Sequence, residues 1–331
     1  MSNSSAVKTT DTLKLFSKET LVKGVPRQEK RVNIAGQTYA LSTGLVSTLS
    51  LEEEWYEDVR DPAMVIEAFK NNKGFRPDLF TFWQRPPDLQ PKYSYRFEWE
   101  ELAVLPVQSY EYWFNKQIKS RTRGLIRKAE KDGIETRETE YDDEFVRGMT
   151  SIFNETPVRQ GKRFWHYGKD FQTVKRQFGR FIHREVMIAA YYGGEMIGFI
   201  MLGNAGRFGL TGQIISTVKH RDKGTNNALI AKAVQVCEQR KLPALVYLFW
   251  SNDSLAEFKR RCGFERTQVP RYFVPLTPKG GLALKLGVHR GWKALMPEGL
   301  RSALKSWRSR WYGLSGAEKA DAADKHHQRT V

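Results

Sequence analysis

The segment that decides the fold runs from residue 186 to residue 227 and reads VMIAAYYGGEMIGFIMLGNAGRFGLTGQIISTVKHRDKGTNN. It contains three strand-like runs, at 186–192, 196–203 and 207–218, and the pair Gly193-Gly194 separates the first two. Apolar runs of this length bounded by glycine predict strands, and a Gly-Gly pair predicts a tight hairpin turn. The segment therefore predicts consecutive strands that begin with a hairpin and lead through the polar turn RDKG into a helix.

The sequence on either side extends this order of elements. Before the segment we predict a strand at 134–138 and helices at 142–154 and 171–184; after it, a helix at 225–241, a buried strand at 245–250, a short helix at 251–262 and a strand at 266–276. The order β-α-α-β-β-β-α-β-α-β predicts an α/β (α+β) domain over 121–278. Its mixed central sheet is flanked by helices, and helix 225–241 joins its parallel neighbours.

The N-terminal part of the chain is less regular. Residues 1–29 are polar and lack apolar periodicity, which predicts a disordered tail. Residues 30–120 predict a small α+β subdomain, with strands at 37–41, 79–83, 93–99 and 102–107 and a helix at 62–69.

Two stretches are both basic and amphipathic. Residues 109–131 predict one helix that ends before Gly133 and carries a basic stripe, which either binds an anion or is a solvated face. In the predicted C-terminal extension, 279–331, a basic helix at 299–312 either docks on the domain or contacts an anionic membrane. We predict disorder for the end of this extension.

Composition limits the partners and the compartment. The 54 Lys and Arg residues against 37 Asp and Glu give a net charge of +17, which favours polyanions, anionic lipid or phosphorylated ligands. The two cysteines have no CxxC spacing, so we expect no thiol-held metal. Without a signal peptide or a bilayer-length apolar run, the sequence predicts a cytoplasmic protein, with contact at the inner face of the membrane left open.

The turn between strand 207–218 and helix 225–241 is a predicted phosphate site. A glycine before a helix lets the backbone approach a ligand, while the first N–H groups of the helix point at it. The residues that would hold the phosphates are Arg221, Lys223, Gly224, Thr225, Asn226 and Asn227. The same pattern also occurs in ordinary turns.

The element order and this turn resemble the GNAT acyltransferase superfamily. That family's CoA signature is Gln or Arg, two residues, Gly, one residue, then Gly or Ala; Arg221 and Gly224 match it and Asn226 does not. Asn252 and the pair Gly263-Phe264 also have the family's spacing. The resemblance implies an acyl-CoA donor, with Asn252 and Lys259 facing its thioester. Lys259 replaces the tyrosine that often protonates the leaving thiolate, and Gln213 is what strand 207–218 offers where the family usually has a carboxylate.

A narrower resemblance links the chain to the Fem-type aminoacyltransferases. SRTRGLIRKAEKDG at 120–133 and SLAEFKRRCGF at 254–264 are similar to stretches of that branch. The resemblance implies two GNAT-like halves, the first reduced, and a donor that can be aminoacyl-tRNA. The net charge favours RNA, whereas Arg221 and Gly224 favour CoA.

The loop between helices 142–154 and 171–184 is the predicted acceptor site, since GNAT-like proteins usually bind their acceptor there. It concentrates charged, amide and aromatic side chains: Arg159, Gln160, Lys162, Arg163, Trp165, His166, Tyr167 and Lys169. We expect His166 or Glu155 to deprotonate the attacking amine and backbone N–H groups at 214–218 to stabilise the oxyanion. The aromatic residues could instead cover the sheet, and the histidine could be structural.

Together these observations predict an acyltransferase that moves an acyl group from acyl-CoA to an amine or hydroxyl of a small molecule or of a cell-envelope or polysaccharide precursor. One alternative is an aminoacyl-tRNA-dependent aminoacyltransferase. The other is a non-enzymatic protein that binds nucleic acid or anionic lipid on a degenerate GNAT fold.

Overall fold

A computed structural model describes residues 13–22, 25–70, 72, 74–159, 161–251 and 254–290. The strands are β1 Leu15–Val22, β2 Val25–Ile34, β3 Gln37–Ser42, β4 Thr48–Leu51, β5 Leu79–Trp83, β6 Phe97–Pro106, β7 Glu135–Thr139, β8 Val158–Arg159, β9 Lys162–Arg163, β10 Glu185–Tyr192, β11 Glu195–Asn204, β12 Gly209–Ser216, β13 Ala244–Phe249 and β14 Glu265–Pro275. The α-helices are α1 Pro62–Lys70, α2 Tyr110–Tyr112, α3 Ser120–Lys131, α4 Asp143–Asn154, α5 Phe171–Phe178, α6 Thr225–Gln239, α7 Ser254–Arg261 and α8 Pro278–Leu286. A π-helical turn covers Trp113–Gln117, and 3-10 turns cover Gly179–Arg184, Arg221–Lys223 and Val288–Arg290.

The chain divides into two compact units whose boundaries differ from the predicted ones. Among the described residues, the first combines 26–100 and the preceding strand with 268–290, and the second is built mainly from Glu101–Thr267. The basic stretch 109–131 therefore belongs to the second unit. Most of β14 belongs to the first, because it pairs with β5 there from Arg271 to Pro275.

The first unit is a mixed sheet in the order β1-β2-β3-β4-β5-β14, with β4 and β5 parallel. Its core joins Val32, Leu49 and Phe80 of the sheet to Val65 and Phe69 of α1. The predicted strands 37–41 and 79–83 and the predicted helix 62–69 are present here, each within one residue of its bounds.

The predicted disordered tail is wrong over its second half. Residues 15–22 and 25–29 lie in β1 and β2, and β2 pairs with β3 from Lys30 to Ile34. Backbone hydrogen bonds hold a strand in a sheet whatever its side chains are, and charged residues are common on edge strands. One such charge, Lys18, forms an ion pair of 2.9 Å with Glu52. A polar sequence with little apolar periodicity thus still forms strands.

The second unit is a mixed sheet in the order β6-β13-β12-β11-β10-β7 with helices on both faces. Alternate residues of β10 face opposite sides, so Ile188 packs in the core with α3 and α6, whereas Met187 packs with α4 and α5. β12 and β13 are parallel and α6 connects them, as predicted. The predicted strands 93–99 and 102–107 are replaced by the single strand β6, since no glycine or proline interrupts 97–105.

Capping residues and turn glycines set the element ends around the β10–β11 hairpin. Asp142 accepts a hydrogen bond from the Phe145 N–H at 2.8 Å and starts α4. Gly193 and Gly194 have φ of 57° and 83°, the left-handed conformation that a two-residue hairpin turn needs at both positions. The predicted hairpin is confirmed.

The predicted single helix at 109–131 is wrong, because the chain breaks before α3. Ile118 is extended, with φ −94° and ψ 149°, and it is buried in the core together with Trp113. The Trp113 indole donates to the Cys262 carbonyl at 2.9 Å. One straight helix would not allow this hydrogen bond and the burial of Ile118 at the same time. The Arg123 guanidinium donates to the carbonyls of Phe114 and Ile118, and so replaces helical hydrogen bonds that the break removes.

The described part of the C-terminal region ends with α8 and the turn Val288–Arg290. The predicted basic helix at 299–312 and its proposed membrane contact lie outside the described residues. No helix in the described ranges combines the length and the apolar character that crossing a bilayer needs.

Candidate active site

A cleft opens in the second unit where two parallel strands separate. β12 and β13 pair only at Gly209–Leu245 and Leu210–Val246. Beyond these pairs each strand departs from regular register. In β12 the register with β11 shifts so that Gly212 is an extra residue; in β13 the register with β6 shifts between Val246 and Phe249. Bulges bend strands, so the two strands diverge, and β12 has no ladder pair with β13 beyond Leu210 in the described residues.

The cleft has a volume of 590 Å³, which is in the range of small-molecule sites. Its walls come from β12, the start of α6, β13, α7 and the loop after α4. The lining residues are Arg159, Phe164, Gln213, Ile214, Ile215, Ser216, Thr217, Val218, Arg221, Gly224, Thr225, Asn226, Asn227, Tyr247, Leu255 and Phe258. This lining contains two arginines and no Asp or Glu, so the described walls favour an anionic ligand.

One end of the cleft is the N-terminus of α6. This helix has 15 residues, and its N-cap is Gly224, which has no side chain to accept hydrogen bonds from the first turn. The hydroxyl of Thr225 and the amide oxygen of Asn226 are buried without a hydrogen-bond partner among the described residues. A helix N-terminus carries a partial positive charge and unpaired N–H groups. With Arg221 beside it, this end of the cleft fits the phosphates of a CoA-like ligand.

The packing of α3 explains why residue 224 is a glycine. Its φ is 74°, and a Cβ there would lie 2.8 Å from the carbonyl oxygen of Leu125 in α3. The sequence predicted a glycine that lets a ligand approach, but here α3 makes the close approach. A side chain at this position would thus disturb the packing of α3 before it reached a ligand.

The structure brings most of the predicted donor residues together. Arg221, Gly224, Thr225, Asn226 and Asn227 all line the cleft. The Asn227 amide is directed towards the core, since its Nδ2 lies 3.8 Å from the Cys262 Sγ. Lys223 is elsewhere: its ammonium lies 4.4 Å from the ring centre of Tyr192. Asn252 lies outside the described residues.

Lys259, the predicted proton donor, is not in the cleft lining. Only 1% of it is exposed, and its ammonium donates to the carbonyls of Tyr247 at 2.8 Å and Phe249 at 2.7 Å. Between these two residues lies Leu248, whose φ of 47° marks the irregular end of β13. The lysine therefore stabilises the bend of β13 that opens the cleft. It acts on the shape of the cleft and does not line it.

His166 and Lys169 form a packed pair outside the cleft lining. The imidazole stacks on Phe153 at 4.6 Å, and its Nδ1 lies 3.0 Å from the Lys169 ammonium. Burial, and then the charge of Lys169, lower the pKa of His166 to about 4, so the ring is neutral at neutral pH. The ammonium also donates to Gln177 at 2.6 Å. This geometry suits a structural role for both residues.

Glu155, the other predicted base, is fully engaged by hydrogen bonds. Its carboxylate accepts from the backbone N–H groups of Val218 at 2.6 Å and Lys219 at 2.8 Å, and from the Arg159 guanidinium at 3.0 Å. It lines a neighbouring groove between α4 and the β10–β11 hairpin and is absent from the cleft lining. Glu155 therefore ties the end of α4 to the segment after β12.

The remaining residues of the predicted acceptor loop differ in whether they line the cleft. Arg159 lines the cleft, and Phe164, which the sequence analysis did not select, lines it as well. Lys162, Arg163, Trp165 and Tyr167 are exposed and lie outside the lining, and Gln160 is outside the described residues. The short strands β8 and β9 form a hairpin in this loop, which turns alternate side chains away from the cleft.

The apolar wall of the cleft was also missed by the sequence analysis. The lining contains Tyr247 of β13 and Ile214 and Ile215 of β12, and Leu255 and Phe258 of α7 join them. Leu255 and Phe258 are three residues apart, a helical spacing that could have indicated one face. Burial raises the pKa of the Tyr247 phenol, so this residue stays protonated at neutral pH.

The cleft thus combines a positively charged end whose chemistry fits phosphates, the backbone of a bulged strand and an apolar wall. Such backbone N–H groups can stabilise the oxyanion of an acyl-transfer intermediate without any side-chain charge. Within the described part of the chain, no three His, Cys, Asp or Glu side chains converge as a metal site would require.

Comparison with known proteins places this cleft in a family. Residues 141–264 match the model of the acetyltransferase (GNAT) family, and the match contains β10–β13, α6, α7 and most of the cleft lining. Residues 141–264 are a GNAT domain. The second unit therefore carries the fold of an acyltransferase family.

Solved structures extend the likeness beyond the GNAT domain. The structure of FemX superimposes with a TM-score of 0.55 at 9% identity and covers 82% of this chain and 90% of its own. The C-terminal domain of a protein described as a lysylphosphatidylglycerol synthetase from Agrobacterium fabrum gives 0.53 at 13% identity, covering 78% and 87%. At these identities the likeness concerns the fold alone. No curated protein matches the chain in sequence.

Proposed function

We propose that this protein transfers an acyl group from acyl-CoA to an amine or hydroxyl acceptor. The observation that carries the proposal is the cleft between β12 and β13, which ends at the uncapped N-terminus of α6. The phosphates of the donor bind at Gly224, Thr225 and Asn226 with Arg221. The pantetheine arm then follows the unpaired edge of β12, where its amides can hydrogen-bond to the backbone.

The reacting carbonyl lies further from α6 than the phosphates do, next to the bulge at Gly212. There the first backbone N–H groups of 214–218 stabilise the oxyanion, and the apolar wall of Tyr247 and Phe258 limits the access of bulk water to the thioester. None of the predicted catalytic groups, Lys259, His166 and Glu155, is in the lining. As the acceptor attacks the carbonyl and the C–S bond breaks, we assign the transfer of the acceptor's proton to a water bound beside it, which passes a proton to the leaving thiolate of CoA. The chain then accelerates transfer mainly by positioning the reactants.

A second donor, aminoacyl-tRNA, is favoured by one observation. Helix α3 packs against α6 and against the turn Arg221–Lys223, and its cations Arg121, Arg127 and Lys131 are exposed. These charges extend the positive surface beyond what a CoA diphosphate needs, and contacts from Lys and Arg to phosphates dominate RNA binding. The acceptor of either reaction, an amine or hydroxyl on a cell-envelope or polysaccharide precursor, is proposed from the family resemblance.

Thermal unfolding of the full chain in the presence of CoA, acetyl-CoA or bulk tRNA, at two salt concentrations, tests the donor. A ligand at 100 times its dissociation constant adds about 2.7 kcal/mol to the free energy of unfolding. We expect CoA to stabilise the protein at both salt concentrations. No stabilisation by CoA, with a tRNA effect that fades steeply as salt rises, would exclude acyl-CoA. Charged against uncharged tRNA would then separate an aminoacyl donor from non-enzymatic polyanion binding.

A further inference from the structure

Arg159 reaches the cleft from the loop after α4 and is held in a fixed position. Its guanidinium donates to the carbonyls of Ser216 at 2.7 Å and Ile152 at 2.9 Å, and it lies 4.9 Å from the ring centre of Phe164. Ser216 is the last residue of β12, directly before the segment that leads to the phosphate-binding turn. Arg159 is therefore anchored at the donor end of the cleft, although the sequence analysis placed it with the acceptor.

Arg159 still has hydrogen-bonding capacity in this position. Among the described residues its carboxylate partner is Glu155, whose oxygens also accept from the N–H groups of Val218 and Lys219. The Arg159 Nε is buried and has no hydrogen-bond partner among the described residues. Burial lowers the pKa of Arg159, the carboxylate of Glu155 raises it, and the charge of Arg221 lowers it to a smaller extent. Both arginines line a cleft whose described walls contain no carboxylate.

We propose that Arg159 and Arg221 together bind the diphosphate of the donor. This inference rests on the proposed function and adds to it a residue from a different segment of the chain. A diphosphate between the two guanidiniums replaces their repulsion with two charge-assisted interactions and supplies a partner for the buried Nε–H. The donor's phosphate site then has two sides, one on the α6 turn and one on the loop after α4.

Binding at both sides has a consequence for the acceptor loop. Arg159 is the second residue of β8, so an anion that holds its guanidinium also holds the β8–β9 hairpin. Donor binding therefore adds to the hydrogen bonds that already hold this hairpin, and donor and acceptor binding are coupled through the Arg159 side chain.

Hydrogen exchange of the full chain, followed by mass spectrometry, tests this arrangement with CoA and inorganic pyrophosphate as probes. We expect both probes to slow exchange in two separate stretches, 221–228 and 158–168. In Arg159→Gln the slowing at 158–168 is lost and CoA binding weakens about tenfold, which corresponds to about 1.4 kcal/mol. Arg176→Gln, which removes the same charge from an exposed position on α5 outside the lining, leaves both stretches and the affinity unchanged.

A second variant separates anion binding from a purely structural role of Arg159. Arg159→Lys keeps the charge, so the steep salt dependence of pyrophosphate binding remains, whereas Arg159→Gln and Arg221→Gln each reduce its slope. The inference is overturned if CoA protects only 221–228, or if Arg159→Gln binds CoA with wild-type affinity and salt dependence. If neither probe protects 221–228 in the wild-type protein, the proposed function itself fails.

Discussion

Replacing the buried Lys259 by methionine is predicted to destabilise the GNAT domain. Methionine has nearly the same length, so no cavity forms, but the carbonyls of Tyr247 and Phe249 lose donors at 2.8 and 2.7 Å. Each buried acceptor left unsatisfied costs about 1–3 kcal/mol, and removal of a buried charge offsets part of this loss. We expect the free energy of unfolding to fall by about 2–4 kcal/mol, which lowers the melting temperature by about 5–15 °C.

Urea and thermal unfolding of Lys259→Met beside Arg260→Met measure this effect. Arg260 is on the same helix, but its side chain is 60% exposed and pairs with Glu257 at the surface, so its loss changes stability by less than about 1 kcal/mol. The reasoning is refuted if Lys259→Met unfolds like the wild type. If that stable variant also lost acyl transfer, Lys259 would be a proton donor, as its place in the sequence motif implies.

Three further predictions concern individual residues of the GNAT domain. Thr225→Val replaces a buried hydroxyl that has no partner among the described residues with a methyl group. Calorimetric titration of CoA should show about 5- to 30-fold weaker binding, while the stability of the variant is unchanged or higher. Intact CoA binding would remove Thr225 from the donor site. Gly224→Ala should lower stability by about 1–3 kcal/mol in urea unfolding, because φ is 74° and Leu125 lies 2.8 Å from the new Cβ; a neutral effect would contradict this packing. Folding lowers the pKa of His166 from 6.5 to about 4, so the unfolded chain binds a proton at this residue more readily than the folded chain does. The free energy of unfolding should therefore fall as the pH drops from 6.5 to 4, by at most about 3 kcal/mol for this group. His166→Phe should flatten that fall, and an imidazole that titrates near 6.5 by NMR would contradict the buried position.

Periodicity predicted the order of strands and helices along the GNAT domain well because β10 and β11 are buried on both faces. The runs that became β10 and β11 are almost continuously apolar, and a two-residue glycine turn leaves a hairpin as the simple connection. The polar strands β1 and β2 gave no such signal, since pairing with a neighbour and not side-chain burial holds them. The break at Ile118 gave no signal in the sequence either. The buried residues before it and after it, such as Trp113 and Ile126, still fit one apolar stripe of a helix.

The candidate site was predicted better at its donor end than elsewhere. A glycine between a strand and a helix specifies its own backbone geometry, so Arg221, Thr225 and Asn226 could be placed beside one cleft from sequence, whereas Lys223 lies against Tyr192. The roles of Lys259, His166 and Glu155 depended on which neighbours each would meet, and that is decided by residues distant in the chain. Backbone carbonyls hold Lys259, the Lys169 ammonium holds His166, and backbone N–H groups with Arg159 hold Glu155, so all three stay outside the cleft lining. Tyr247 and Phe164 were missed because an aromatic residue in a strand or loop reads as core.

The central claim is that the N-terminus of α6 and the adjoining cleft bind the phosphates of an activated acyl donor. Isothermal titration of CoA into the wild-type protein and into Arg221→Gln tests it most directly. We predict one CoA per chain for the wild type and about tenfold weaker binding for the variant, both folded to the same extent. Absence of CoA binding by the wild-type chain, or equal binding by the variant, would contradict the account.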